Sequence, residues 1–241
     1  MSLPTPYYQR GPVTLFHGDC LELLPHLPRV DAVVTDPPYG IAFKSHGMLF
    51  RQSSEIANDE AMSVGQSVVD WAMSQELCIV AFCSPGKPWG GNWRNWLAWD
   101  KGGHVGIGGD RATCWKRSWE MVAVANNPPL NGQRDEGVLR FNAVSPPPSG
   151  HVAEKPLPLM EYLIEKVTQP SDTVFEPFAG SGSTVAAALR TGRQCIACEL
   201  DAEWCEYIAA RCDRELDQKR LPFDAPKRTE TQQALFAEVT A

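Results

Sequence analysis

The chain predicts an α/β fold on a mostly parallel sheet, and three observations carry that prediction. First, strand-like and helix-like patterns alternate toward the C-terminal end: helical at 158–168, strand-like at 173–178, helical at 184–190, strand-like at 194–200 and helical at 202–216. Such alternation implies parallel strands joined by crossover helices. Second, a β-branched run at 30–35 ends in a Pro-Pro turn, and a buried run at 77–82 is closed by Ser84-Pro85-Gly86, as strands ending in turns are. Third, 241 residues with 43% hydrophobic content suffice for one α/β core with insertions. One domain is expected over residues 1–218, followed by a polar tail at 219–241.

The other segments are read in order. Residues 41–59 mix Gly, Ser and charge without periodicity and predict a mobile loop; 68–73 predict a helix. Trp89, Trp93, Trp96 and Trp99 recur at near-helical spacing, a pattern that could offer bases a stacking surface and is read here as a core face. A strand pair is expected at 113–115 and 119–125. Residues 126–150, rich in Pro, Asn and Gly, predict an irregular excursion.

Composition excludes several classes. No apolar run approaches the roughly 20 residues of a membrane helix, and the first residues, with Pro4, Pro6, Tyr7 and Tyr8, lack the apolar core of a signal peptide. A soluble, cytoplasmic protein without membrane partners is expected. Of eight cysteines, Cys78, Cys83, Cys195 and Cys198 sit in apolar runs, which suits buried thiols in a reducing compartment. Cys195 and Cys198 have a zinc-knuckle spacing, but residues three apart on a strand face opposite sides, so no metal is expected. The net charge of −7 argues against a nucleic-acid binder as a whole. Between Lys87 and Lys155, however, basic residues outnumber acidic ones, including Arg94, Lys101, Arg111, Lys116, Arg117, Arg134 and Arg140, whereas Asp and Glu concentrate after Glu199.

Two motifs carry chemistry. The 173–178 strand runs into Gly180-Ser181-Gly182 and then a helix, which lets a ligand approach the backbone at a helix N-terminus. A Cβ would block that approach or forbid the dihedral. Glu199 closes the next strand, where a carboxylate can accept hydrogen bonds from ribose hydroxyls. The glycines are not spaced GxGxxG and no basic partner for a pyrophosphate is evident, which disfavours a dinucleotide.

The second motif, Asp36-Pro37-Pro38-Tyr39, follows the 30–35 strand at its carboxyl end, where open α/β sheets bind ligands. An exocyclic amine on adenine or cytosine is a poor nucleophile because its lone pair is delocalised into the ring. The Asp36 carboxylate and the Pro37 carbonyl can both accept from the amine and favour a pyramidal nitrogen. Pro37 and Pro38 hold the acceptors in place beforehand, and Tyr39 supplies a ring face for a base that has left its stack.

With both motifs in this order, the chain resembles the S-adenosylmethionine-dependent DNA amino-methyltransferases, in the permuted subgroup called beta, over residues 13–212. The resemblance implies a Rossmann-like, mostly parallel seven-stranded sheet with helices on both faces and one antiparallel strand. It implies S-adenosylmethionine as cofactor, held by Phe178, Ala179, Gly180, Ser181, Gly182, Thr184 and Glu199. His17-Gly18-Asp19-Cys20 resembles the family's segment at the cofactor's adenine edge, which brings in Asp19 and Cys20. Trp99-Asp100-Lys101 and Trp119-Glu120 resemble the strands flanking the target-base pocket. His151 through Lys155-Pro156 resembles a His-Pro-x-Gln-Lys-Pro block that helps bind the methionine end, with Val152 and Glu154 in place of the usual Pro and Gln.

The implied substrate is double-stranded DNA with a flipped base. Asp-Pro-Pro-Tyr favours adenine N6, with cytosine N4 as the alternative. A transferase for RNA or protein glutamine is a further alternative, disfavoured because its related turn begins with Asn and follows the cofactor motif. The recognition region, 126–150 plus the 41–59 loop, is short; either recognition is simple, or a partner or second subunit in a homodimer contributes. In the tail, Gln232, Leu235 and Phe236 resemble peptides that dock on the replicative sliding clamp, although an amphipathic helix end is the plainer reading.

Overall fold

Nine strands form one mixed sheet in this computed structural model, which describes residues 3–39, 63–102, 118–144, 147, 149–151 and 153–218. In chain order these are β1 (Tyr8–Arg10), β2 (Val13–His17), α1 (Cys20–Leu23), β3 (Ala32–Thr35), α2 (Ser63–Ser74), β4 (Cys78–Cys83), β5 (Asn95–Asp100) and β6 (Trp119–Ala125). There follow β7 (Val138–Arg140), α3 (Leu157–Val167), β8 (Thr173–Glu176), α4 (Ser183–Arg190), β9 (Gln194–Glu199) and α5 (Ala202–Asp217). The spatial order is β1-β2-β9-β8-β3-β4-β6-β5-β7. Strands β2, β9, β8, β3 and β4 run parallel, β6 runs antiparallel to β4 and β5, and β1 and β7 are three-residue strands at the two edges. Inside those edges lie the expected seven strands, with β6 the antiparallel one.

The two-residue period sorts the core into two layers. Ala32, Val34, Val80 and Phe82 pack with Leu159, Leu163, Val185 and Ile208 from α3, α4 and α5. Val33, Ile79 and Ala81 face the other way, onto Leu23 of α1 and Val68 and Ala72 of α2. Strands β3 and β4 are therefore buried on both faces and read as unbroken apolar runs. Cys195 falls in the first layer and Cys198 in the second, so the Cys-x-x-Cys pair points to opposite sides of β9. The seven described cysteines are free and buried. Burial pushes the thiols of Cys78, Cys83, Cys198, Cys205 and Cys212 up to about 12. Among the described residues no helix is long and apolar enough to cross a membrane.

The tryptophan spacing proves misleading. Trp96 and Trp99 lie on strand β5, and three residues apart on a strand means opposite faces: Trp99 is 2% exposed and Trp96 is 42% exposed. Trp89 is buried in the other core layer and donates its Nε1–H to the Phe82 carbonyl at 2.8 Å. The core thus takes Trp89 and Trp99 but not as one helical stripe. The excursion 126–150 is not wholly irregular either, because β7 docks Leu139 beside Trp99 through parallel pairing with β5. The expected loop at 41–59, the strand at 113–115 and the tail with Gln232, Leu235 and Phe236 lie outside the described residues.

Candidate active site

Strands β3 and β8 are parallel neighbours, pairing Ala32 with Val174 and Val33 with Phe175, so the turns after them open at the same sheet edge. From there the chain leaves in opposite directions, β3 toward β4 and β8 toward β9. Such a switch point leaves a crevice above the carboxyl ends of the strands. A buried carboxylate ties the two turns together. Glu176, the last residue of β8, accepts from Thr35 Oγ1 of β3 at 2.5 Å, from Thr184 Oγ1 of α4 at 2.5 Å and from the Phe178 N–H at 3.0 Å. Burial pushes its carboxyl up to about 8 even against those three donors.

Asp36 emerges from β3 into a cluster of charge. Its Oδ1 accepts from the Tyr39 hydroxyl at 2.5 Å, and its Oδ2 accepts from Lys155 Nζ. Glu120 is the second residue of the antiparallel strand β6 and so lands on the same edge, since Met121 beside it pairs with Cys83 at the end of β4. Its Oε2 lies 3.3 Å from both Lys155 Nζ and the Tyr39 hydroxyl, and its Oε1 pairs with Lys101, just past the end of β5. Phe82, Trp99 and Tyr39 surround the Lys155 ammonium at 4.9, 5.8 and 5.9 Å from their ring centroids. Burial raises the Asp36 carboxyl, opposed by Lys155, and raises the Tyr39 hydroxyl. Burial would also raise Glu120, but Lys155 and Lys101 outweigh it and hold that carboxyl below its ordinary value. For Lys155 burial favours the neutral amine, yet Asp36 and Glu120 prevail and keep it charged.

On the other side of the crevice, Gly180 and Gly182 adopt φ of +50° and +74°, and the Gly182 N–H closes a tight turn onto the Ala179 carbonyl at 2.7 Å. Glu199 accepts from the Gly180 N–H at 2.7 Å and from the Asp201 N–H at 2.9 Å. Strand β2 pairs His17 with Glu199, which sets Asp19 at the neighbouring strand end. Asp19 is exposed and caps α1 through the Leu21 N–H at 2.9 Å, whereas the Cys20 side chain is buried in the core. Any contact of Cys20 with a ligand therefore belongs to its backbone. His151 lies edge-on to Trp204 at 4.7 Å, and a Cβ on Gly180 would sit 3.2 Å from its Nε2. Burial lowers the His151 imidazole to about 4, so it is neutral near pH 7. Thr184 points into the core at Glu176, and Ser181 Oγ lies 3.3 Å from Ser183 Oγ.

The glycine turn, the Glu199 carboxylate and the exposed Asp19 thus share one end of the crevice, with Asp36 at the other. That arrangement suits a nucleoside-bearing ligand at the glycine-turn end.

A protein-family model described as DNA methylase, covering N6 and N4 amino-methyltransferases, matches residues 87–211, just over half of the chain. The chain belongs to the DNA methylase family. YubD of Escherichia coli (strain K12) is 30% identical to the methylase over 206 residues, covering 76% of this chain and 82% of its own. Two solved structures share the fold. The M1.HpyAVI complex with S-adenosylmethionine aligns at TM-score 0.60 and 23% identity, over 83% of this chain and 99% of that one. The PvuII cytosine-N4-specific DNA methyltransferase aligns at 0.58 and 21%, over 90% and 89%. The family's methyl donor is S-adenosylmethionine.

The structure brings Asp36, Tyr39 and Lys155 together, and separately gathers Phe178 to Gly182, Glu199, Asp19 and His151. Sequence reasoning overlooked Glu176, Thr35 and Arg211. Arg211 on α5 donates to the Ser181 carbonyl at 2.8 Å and pairs with Glu154 at 3.4 Å, pinning the His151 block to the cofactor turn. A signal existed for Glu176: an acid at the end of an apolar strand must find donors, and Thr35 and Thr184 each adjoin or lie in a motif already singled out. No local signal marks Arg211.

Proposed function

We propose that the methylase transfers a methyl group from S-adenosylmethionine to adenine N6 of a base flipped out of double-stranded DNA. The observation that supports this best is the Asp36-Pro37-Pro38-Tyr39 turn opening beside the glycine turn on adjacent parallel strands. The bound cofactor supplies an electrophilic methyl on a sulfonium. The remaining work falls to the chain. Asp36 and the Pro37 carbonyl accept hydrogen bonds from the target amine and hold it pyramidal, which withdraws its lone pair from the ring. These acceptors act as the nitrogen gains positive charge, so they favour the transition state over the ground state. Pro38 restrains the turn, and Tyr39, its hydroxyl held by Asp36, presents its ring to the base. Phe178 through Gly182 and Thr184 shape the cofactor turn; Glu199, with Asp19 and the Cys20 backbone, takes the nucleoside end; and His151 takes the methionine end.

Cytosine N4 is the second reading, since the matching family model spans both N6 and N4 enzymes. Methyl transfer from labelled S-adenosylmethionine to unmethylated duplex DNA, followed by nucleoside analysis, separates them. N6-methyladenine is expected. N4-methylcytosine keeps the mechanism and changes the target, and label found only in RNA or protein overturns the DNA assignment.

A further inference from the structure

Lys155 is not placed like a residue whose charge is free for a cofactor. Its side chain is 6% exposed, its ammonium touches carboxylates of two different elements, and three aromatic rings close over the remainder. Each oxygen of Asp36 carries one donor, Tyr39 on Oδ1 and Lys155 on Oδ2. The carboxylate plane is therefore held from both ends before a base arrives, and each oxygen keeps a lone pair for the incoming amine. Glu120 is seated in turn by Lys101, so the cluster pairs two cations with two anions.

We propose that Lys155 is a positioning residue for Asp36: its ammonium, on Oδ2, aims that carboxylate and favours its charged form, and Glu120, braced by Lys101, holds Lys155 in place. The proposal rests on Asp36 being the amine acceptor only for its catalytic consequence, not for its electrostatics.

The groups facing Asp36 fix the expected signs. On its own turn lies Tyr39; Lys155 comes from the segment before α3, Glu120 from β6, Lys101 through Glu120 from the end of β5, Cys83 from β4 and Glu176 from β8. Among them Lys155 is the cation in contact with Asp36, and Glu120, which shares Lys155 with it, is the like charge that opposes its ionisation. Removing the cation must make Asp36 harder to ionise, and removing the like charge must make it easier. A side chain that only filled space would not produce shifts of opposite sign.

The test is a carboxyl carbon-13 NMR titration of Asp36 in the full chain, assigned with Asp36→Asn, on the parent protein, Lys155→Met, Lys155→Arg and Glu120→Gln. Lys155→Met should raise the Asp36 midpoint by about one to three pH units, and Glu120→Gln should lower it by about one. Lys155→Arg should return most of the Lys155→Met shift. A midpoint unmoved in Lys155→Met, or moved the same way in Lys155→Met and Glu120→Gln, overturns the proposal. Should Lys155→Met fail to fold, Lys155→Arg and Glu120→Gln still decide it: Lys155→Arg must leave the midpoint near the parent's, Glu120→Gln must lower it, and failure of either overturns the proposal. Binding of S-adenosylmethionine provides the second readout. A loss within about threefold in Lys155→Met supports positioning, and a loss of tenfold or more with an unmoved midpoint assigns Lys155 to the cofactor instead. None of these readouts needs turnover. If the parent does not methylate DNA, the proposed function falls while the titration still judges Lys155.

Discussion

Replacing Glu176 by Gln should flatten the pH dependence of stability. The buried carboxyl is lifted from its ordinary 4.5 to about 8, so the folded protein holds a proton that the unfolded chain releases over that interval. Its contribution to stability is present in full below about 4.5 and is lost as pH rises through about 8. The slope is about 1.4 kcal/mol per pH unit, which allows a loss of up to about 4 kcal/mol between pH 5 and 8. Gln has the shape of the protonated acid and can still accept from the Phe178 N–H and one threonine while donating to the other. Urea unfolding at several pH values between 5 and 8 measures the difference directly. Glu176→Gln should be close to the parent at pH 5 and more stable than it at pH 8. Parallel pH dependence in the two proteins would refute the reasoning, because it would mean that Glu176 ionises in the folded state as easily as in the unfolded one.

Three more outcomes are expected. Asp36→Ala should slow methyl transfer at least about 100-fold, since one acceptor of the developing charge is gone, while calorimetry finds cofactor affinity changed only a few-fold. Arg211→Met removes the donor to the Ser181 carbonyl and unpairs a Glu154 side chain that is 7% exposed; denaturation should show a loss of about 2–3 kcal/mol. Adding Glu154→Gln should recover at least about 1 kcal/mol of it in a double-mutant cycle. Gly182→Ala forces a Cβ onto a residue at φ +74° and to 3.1 Å from Ile208 Cγ1, which should cost about 1–2 kcal/mol and weaken S-adenosylmethionine binding measurably by calorimetry.

The two turns were legible in the sequence because their conformation is local. A Pro-Pro turn after an apolar run and a Gly-Ser-Gly turn between a strand and a helix specify their own backbone paths, because proline restricts φ and glycine permits φ above zero. The parallel half of the sheet was legible for the same reason, as β8, α4, β9 and α5 each follow one period from start to finish. Where the period was ambiguous, reading failed: Trp96 and Trp99 fit a helical spacing and sit on a strand, since pairing with β6 and β7 outweighs a pattern of four residues.

What the sequence by itself determined is thus the pair of turns, the acidic residue closing β9 and the order in which they occur. Only the tertiary structure decided how they are joined. Lys155 lies 119 positions from Asp36, and Glu176 lies 141 from Thr35; no periodicity reaches that far. Those contacts exist because β3 and β8 pair in register and because β6 runs backward, delivering Glu120 to the edge where β3, β4 and β8 end. Burial then sets the chemistry. At the surface these carboxylates and ammonium groups would be ordinary, whereas out of water each must find an opposite charge or a donor, and strand order dictates which one it finds.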